Sequence, residues 1–319
     1  MSSAAPRITA PATPGDRRGF IGLAALVFIW GSSFSLISLS LRDYTPVEVV
    51  IGRTLLGGLF LIPLVFLSRQ SWRGVIQHWP WLLLVSVVNY AVPFVLVAWA
   101  QQSVSSSTTA IFMSAIPFFT LLMSRFVLRE PVSVRRWTGF AIGFVGLIWL
   151  AGGEVLTQLS GDVLRLPQLG LMAACVMFAL SSIIIRRMPR MPSMPATAIM
   201  LLMGATILIP FGGVGALETT VRIVSTEWMA PGPAAISLFA LVFLAVFSTA
   251  IGQFMRTFTI QRYGPVFFSL VGYLVPVWAT IIGVLLLDEQ VSFSQLGAFG
   301  LIISGLVLAH DGGFGSRRA

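Results

Sequence analysis

The chain has 319 residues, 56% apolar and 10% charged, and such a composition leaves too little polar surface to cover a soluble domain of this size. Its net charge of +9 is carried by arginine alone, and without a lysine there is neither a phosphate-loop ATPase nor Schiff-base chemistry. Two histidines, His78 and His310, and one cysteine, Cys175, provide no metal cluster, no nucleophile–base pair and no disulfide, so no cofactor, no metal and no enzymatic activity is expected.

In chain order, residues 1–18 read as a Pro- and Ala-rich disordered cytoplasmic tail. Arg17-Arg18-Gly19-Phe20-Ile21 has the look of a twin-arginine export signal, but further long apolar stretches follow, so the pair reads instead as an inside anchor. A spanning helix needs roughly 20 apolar residues, and ten stretches qualify. The first two are Gly19 to Leu41 and Pro46 to Leu67. Trp79 to Ser124 is too long for one helix and divides at the polar cluster Gln101 to Thr109 into spans three and four. Trp137 to Gly153, Leu166 to Ile185, Met191 to Leu217, Trp228 to Met255, Tyr263 to Leu287 and Gln290 to His310 supply spans five to ten. The expected fold is an all-α integral membrane protein of ten transmembrane helices. Thr45-Pro46-Val47-Glu48 has the form of a capping box at the start of span two.

Counting arginines along a ten-span zigzag puts 16 of the 20 on the side of the N-terminus, including the pairs Arg135-Arg136 and Arg186-Arg187 and the residues Arg256 and Arg262. Arg42, Arg165 and Arg222 fall on the other side and Arg53 inside span two. Positive charge marks the cytoplasmic face, so both termini are expected in the cytoplasm of a bacterial inner membrane. These clusters read as topology signals and not as a nucleic-acid surface.

Sliding the chain on itself by 159 residues lays Pro117 on Pro276, Glu130 on Glu289, Val132-Ser133 on Val291-Ser292 and Gly146 on Gly305; nearer the start, an offset of 149 lays Ser32-Ser33 on Ser181-Ser182 and Pro46 on Pro195. Each half therefore reads as the same five-helix unit, residues 19–153 and 166–310, joined by an external linker 154–165 and followed by a cytoplasmic tail 311–319. An odd number of spans per unit inserts the second copy upside down, which is a mark of secondary transporters.

The order of these features resembles the drug/metabolite transporter superfamily, EamA family, and within it the YddG-like amino acid exporter branch. The resemblance lies in Trp30-Gly31-Ser32-Ser33 of the first span, Arg53 early in the second, Ala98-Trp99-Ala100-Gln101, the prolines in spans four and nine, and the turns holding Glu130 and Glu289. It implies two inverted five-helix repeats around a central cavity lined mainly by spans one, three, four, six, eight and nine, and export of small metabolites.

Candidate substrate-facing residues follow from helical spacing. Ser269, Gly272, Tyr273, Pro276, Thr280 and Gly283 share one side of span nine at 100° per residue. Ser86, Asn89 and Pro93 share a face of span three, and the repeat carries Asn89 and Pro93 onto Ser248 and Gly252 of span eight, which also holds Gln253. Such polar and small positions pack against other helices or line a cavity. Pro117 and Pro276 each free a carbonyl one turn earlier, at Met113 and Gly272, where an ammonium group can be received. Arg53 lies about 12 Å beyond the cap of span two, too deep for a flank, and its repeat counterpart is Leu202. Trp30 and Phe34 share a face of span one with Ser33, and Tyr90 and Trp99 are deep aromatics of span three; together they offer an apolar wall.

The expected function is a secondary transporter exporting small metabolites, foremost apolar or aromatic amino acids, by alternating access and without ATP. Drug, nucleoside or nucleotide-sugar transport on the same fold is the alternative, as is a non-transporting membrane subunit dimerising through the small-residue faces Gly139/Gly143 and Gly300/Ser304. The expected partners are the lipid bilayer and a small-molecule substrate, with no nucleic acid, and the chain is read as a monomer or weak homodimer.

Overall fold

A computed structural model of the chain describes residues 17–104, 106–129, 132–151, 166–224, 233–287 and 293–310, and all regular structure among them is helical. The helices are α1 (Arg17–Ser40), α2 (Pro46–Leu67), α3 (Trp79–Ala100), α4 (Ser106–Met113), α5 (Ile116–Val127), α6 (Val134–Ala151), α7 (Leu166–Arg187) and α8 (Ser193–Val224). They continue with α9, in which Pro233–Phe243, Leu244–Ile251 and Gly252–Tyr263 run on from one another, then α10 (Pro265–Ser269), α11 (Val271–Leu287) and α12 (Phe293–His310). A single turn, Arg73–Ile76, precedes α3. Six stretches among the described residues are long and apolar enough to cross a membrane: Gly19–Ser40, Pro46–Leu67, Trp79–Ala100, Leu166–Arg187, Ser193–Gly212 and Ala235–Tyr263. Large apolar side chains such as Ile21, Phe66, Leu67, Phe211 and Phe239 are exposed around the outside, as a lipid-facing surface requires. The chain is a multi-pass membrane protein.

Local signals explain where the helices begin and end. The capping box at α2 is formed, with Thr45 N–H donating to Glu48 Oε2 at 2.7 Å and Glu48 N–H to Thr45 Oγ1 at 3.4 Å. Its C-terminus closes with Arg69 at φ 52 while Gln70 N–H reaches back to the Val65 carbonyl, a Schellman arrangement. Helix α9 runs seven residues past Arg256 and stops at Gly264, whose φ of 92 suits glycine, followed by Pro265. The eighth apolar stretch was expected to end at Met255; the helix instead carries its polar end into the protein, where Thr257 and Thr259 are buried.

Packing follows the repeat. Moved by 159 residues, α6 falls on α12, and moved by 149, α2 falls within α8. These two pairs make the most extensive helix–helix packing in the molecule, so each half is locked to the other through corresponding helices. The α6–α12 approach is backbone to backbone: a β-carbon on Gly305 would lie 2.5 Å from the Gly139 carbonyl oxygen. The Gly139/Gly143 face is thus used within the chain, whereas Gly300 and Ser304 remain exposed.

Both halves also break regularity at corresponding places. A π-helical segment, Ser86–Ala91, interrupts α3 and another, Leu244–Ile251, interrupts α9; the 159-residue offset carries the first inside the second. Helices α4 and α5 are separated by a turn at Ser114-Ala115, and α10 and α11 by Leu270. Non-helical backbone at such depth is tolerated where it is enclosed by protein or borders a cavity.

Candidate functional site: a central cavity with two arginines

A cavity of about 120 Å³ lies where these irregular helices meet, with room for several water-sized groups. Helix α1 contributes Trp30, Ser33, Phe34 and Ile37, α2 contributes Arg53, α3 Phe94 and Val97, and α4 and α5 contribute Ala110, Met113 and Ile116. From the second half come Phe178 and Ser182 of α7, Gln253 and Arg256 of α9, Phe268 and Ser269 of α10, and Val271, Gly272 and Val275 of α11.

The wall is mostly apolar, with five aromatic side chains among its residues. Phe94 and Phe178 stand with ring centroids 6.0 Å apart, and Trp30 meets Phe268 edge to face at 5.6 Å. Trp30 is fixed because its indole Nε1–H donates to the Ser248 carbonyl at 3.0 Å across the α1–α9 contact. That contact needs Gly252, since a β-carbon there would stand 2.6 Å from the indole nitrogen. Trp278 is tied to the same stretch of α1 through its Nε1–H, which donates to Ser32 Oγ at 3.2 Å.

Two guanidinium groups interrupt the apolar wall. Arg53, 6% exposed, lays its guanidinium 4.0 Å from the centre of the Phe94 ring and donates from Nε to Thr249 Oγ1 at 2.9 Å. Its two Nη groups make no hydrogen bond among the described residues. Arg256, 3% exposed, donates from Nη2 to Ser181 Oγ at 2.7 Å, to Ser182 Oγ at 2.9 Å and to the Phe178 carbonyl at 3.3 Å, with the Phe268 ring 5.5 Å away. Its Nη1 is buried without a hydrogen-bond partner among the described residues. The acidic side chains described are Asp43, which accepts from Ser237, and Glu48, which caps α2; neither serves either arginine. Both cations therefore rest on hydroxyls, a carbonyl and π faces, with no countercharge among the described side chains.

Of the residues singled out by helical spacing, Trp30, Ser33, Phe34, Arg53, Gln253, Ser269 and Gly272 come together on the cavity wall. Asn89 lies directly behind it, donating from Nδ2 to Gln253 Oε1 at 3.2 Å and accepting from Ser181 Oγ at 2.9 Å. The others are elsewhere. Tyr90 is fully buried against Phe94 and the backbone of Gly204, Trp99 is 38% exposed on an outer face against Gly170, and Ser248 is used in the α1–α9 contact, donating to the Ile29 carbonyl. Tyr273 turns away to Phe140 and Gly143. Pro117 and Pro276 are buried but do not line the cavity; Pro117 instead abuts Gly272. The side chain of Thr280 lies outside the described ones, as do Glu130 and Glu289. Cys175 is buried in packing and donates from Sγ to the Phe112 carbonyl.

Arg256 is the residue that sequence reasoning misplaced, by counting it among the cytoplasmic arginines; removing it leaves the charge asymmetry at 15 to three. The signal that could have found it was Gly264-Pro265, a helix stop eight residues downstream.

A multi-pass helical protein with an apolar cavity holding two arginines, bordered by broken helices in both halves, belongs to the class of membrane carriers. The chain is a member of the EamA-like transporter family, which matches residues 17–152 and 166–310. It is similar to the S-adenosylmethionine/S-adenosylhomocysteine transporter of Chlamydia trachomatis, with 28% identity over 286 residues, 89% of this chain and 86% of the relative. It is also similar to the uncharacterized inner membrane transporter YedA of Escherichia coli, with 25% identity over 296 residues, 91% and 89% of the two chains. A solved crystal structure shares the fold with a TM-score of 0.66 at 18% identity, covering 92% of this chain and 96% of the other.

Proposed function

We propose that this transporter carries small carboxylate-bearing metabolites with an apolar or aromatic body, outward across the bacterial inner membrane, by alternating access between two inverted five-helix units. The observation that carries the reading is Arg53 laid on Phe94 in the cavity wall: free guanidinium N–H groups for a carboxylate, beside aromatic faces for the rest of the molecule. Apolar and aromatic amino acids belong to this class. So does the demethylated substrate in the name of the chlamydial relative, S-adenosylhomocysteine, whose adenine offers a flat surface and whose amino acid end offers a carboxylate.

Ten spans, with both termini cytoplasmic, accommodate the six long helices and the shorter apolar pieces α5 and α10–α11. Packing of α2 on α8 and of α6 on α12, each helix against its counterpart, supports two symmetry-related units with the cavity between them. Transport is driven by the substrate gradient or by exchange, as facilitated export.

The test is counterflow in proteoliposomes holding only this protein, with phenylalanine, leucine, threonine, S-adenosylhomocysteine, a nucleoside and a cationic drug as competitors. Competition by carboxylate-bearing members with an apolar or aromatic body is expected. Competition by the nucleoside or the drug alone overturns the substrate class, and no flux of any solute overturns the carrier reading.

A further inference from the structure

Resting on that reading, we infer that the cavity selects organic anions without a free ammonium group, such as aryl oxo acids or dicarboxylates, over the zwitterionic amino acids of the same shape.

Gln253 and Arg256 lie three residues apart on the regular end of α9 and both line the cavity, while Thr249, which receives Arg53 Nε–H, stands in the π-helical segment just before them. The cavity wall thus carries two guanidinium groups, from Arg53 of α2 and Arg256 of α9, and the Gln253 amide. The amide is oriented by the hydrogen bonds behind it. Arg256 Nη2–H donates to Ser181 Oγ, Ser181 O–H donates to Asn89 Oδ1, and Asn89 Nδ2–H donates to Gln253 Oε1. With its oxygen occupied, Gln253 has its NH2 left over, and this group makes no hydrogen bond among the described residues. Asn89, fully buried, thus sets the polarity of a residue it does not share the cavity with.

Each of these wall groups therefore offers N–H donors and none offers a carboxylate. A carboxylate placed at Arg53 Nη and Gln253 Nε2 meets two donors and the field of two cations. An ammonium group on the same molecule meets those cations, and the described wall answers it with neutral acceptors such as the hydroxyls of Ser33, Ser182 and Ser269 and with no carboxylate. In surroundings of low polarity, charge repulsion of this kind is weakly screened. An anion that lacks the ammonium loses nothing and keeps both attractions.

The experiment uses four compounds that share one phenyl group and differ in charge: phenylsuccinate, phenylpyruvate, phenylalanine and phenethylamine. Binding is read as thermal stabilisation of the full-length, detergent-purified protein, which needs no tracer substrate. Phenylpyruvate and phenylsuccinate are expected to reach half-maximal stabilisation at concentrations about tenfold or more below that of phenylalanine, and phenethylamine to have no effect. In Gln253→Glu, which places one negative charge in the wall, the preference is expected to move toward phenylalanine. Phenylalanine binding as well as or better than the anions in the wild-type protein overturns the inference and leaves the carboxylate reading standing. If none of the four binds while a nucleoside or a cationic drug does, both fail. The wild-type ranking decides the matter even if the variant does not fold.

Discussion

The backbone of Gly272 lies against the ring of Pro117, so closely that a β-carbon at position 272 would stand 2.7 Å from the proline Cγ and 2.9 Å from its Cδ. The contact joins α11 to α5 near the two breaks that let α4–α5 and α10–α11 border the cavity. A rigid ring cannot rotate aside as a long side chain can. Gly272→Ala is therefore expected to push the two helices apart, lowering stability by about 1–3 kcal/mol, the usual cost of overpacking. Thermal melting in detergent checks it, with Gly300→Ala as the control, since nothing lies within 4 Å of a β-carbon there. Equal melting temperatures for the two variants contradict the assigned contact.

On the proposed reading, Arg53 serves the substrate more than the fold. A charge near the bilayer centre costs about 2.5–3.5 kcal/mol on insertion scales, and here it is compensated by one hydroxyl and one ring face. Arg53→Leu, the residue type found at its repeat counterpart Leu202, is expected to leave the melting temperature unchanged or raised. A fall as large as that of Gly272→Ala would make Arg53 a structural residue.

Much of this was legible in the sequence, and the failures have physical causes. Six of the expected spans, the capping box of α2 and the burial of Arg53 follow from apolar length, helix-end chemistry and rise per residue, each a local property. Which face of an apolar helix meets protein is not local. In α3 the π-helical segment Ser86–Ala91 departs from the 100° step, so Asn89 and Trp99 could not be oriented by counting. The break at Leu270 likewise parts Ser269 from Gly272 and Tyr273, so the register counted along one span nine does not hold across it. Arg256 was lost for a different reason: it ends an apolar run in composition while the helix and its burial continue.

Orientation is tested by cysteine labelling. Cys175, buried in packing, is replaced by alanine to give a clean background. New cysteines at positions 160 and 225, outside the described residues, are expected to react with an impermeant thiol reagent on intact cells, and one replacing the exposed Ser71 is not. The basis is the arginine excess on the side of Ser71. Labelling at position 71 from outside reverses the topology.

The most direct test of the central claim, that a carboxylate is received at Arg53 between aromatic walls, compares exchange of a labelled phenyl carboxylate by wild-type protein and Arg53→Leu in proteoliposomes at matched protein content. The account predicts measurable exchange by the wild type and a loss of about tenfold or more in the variant, whose melting curve stays intact. Exchange by Arg53→Leu at the wild-type rate would contradict it.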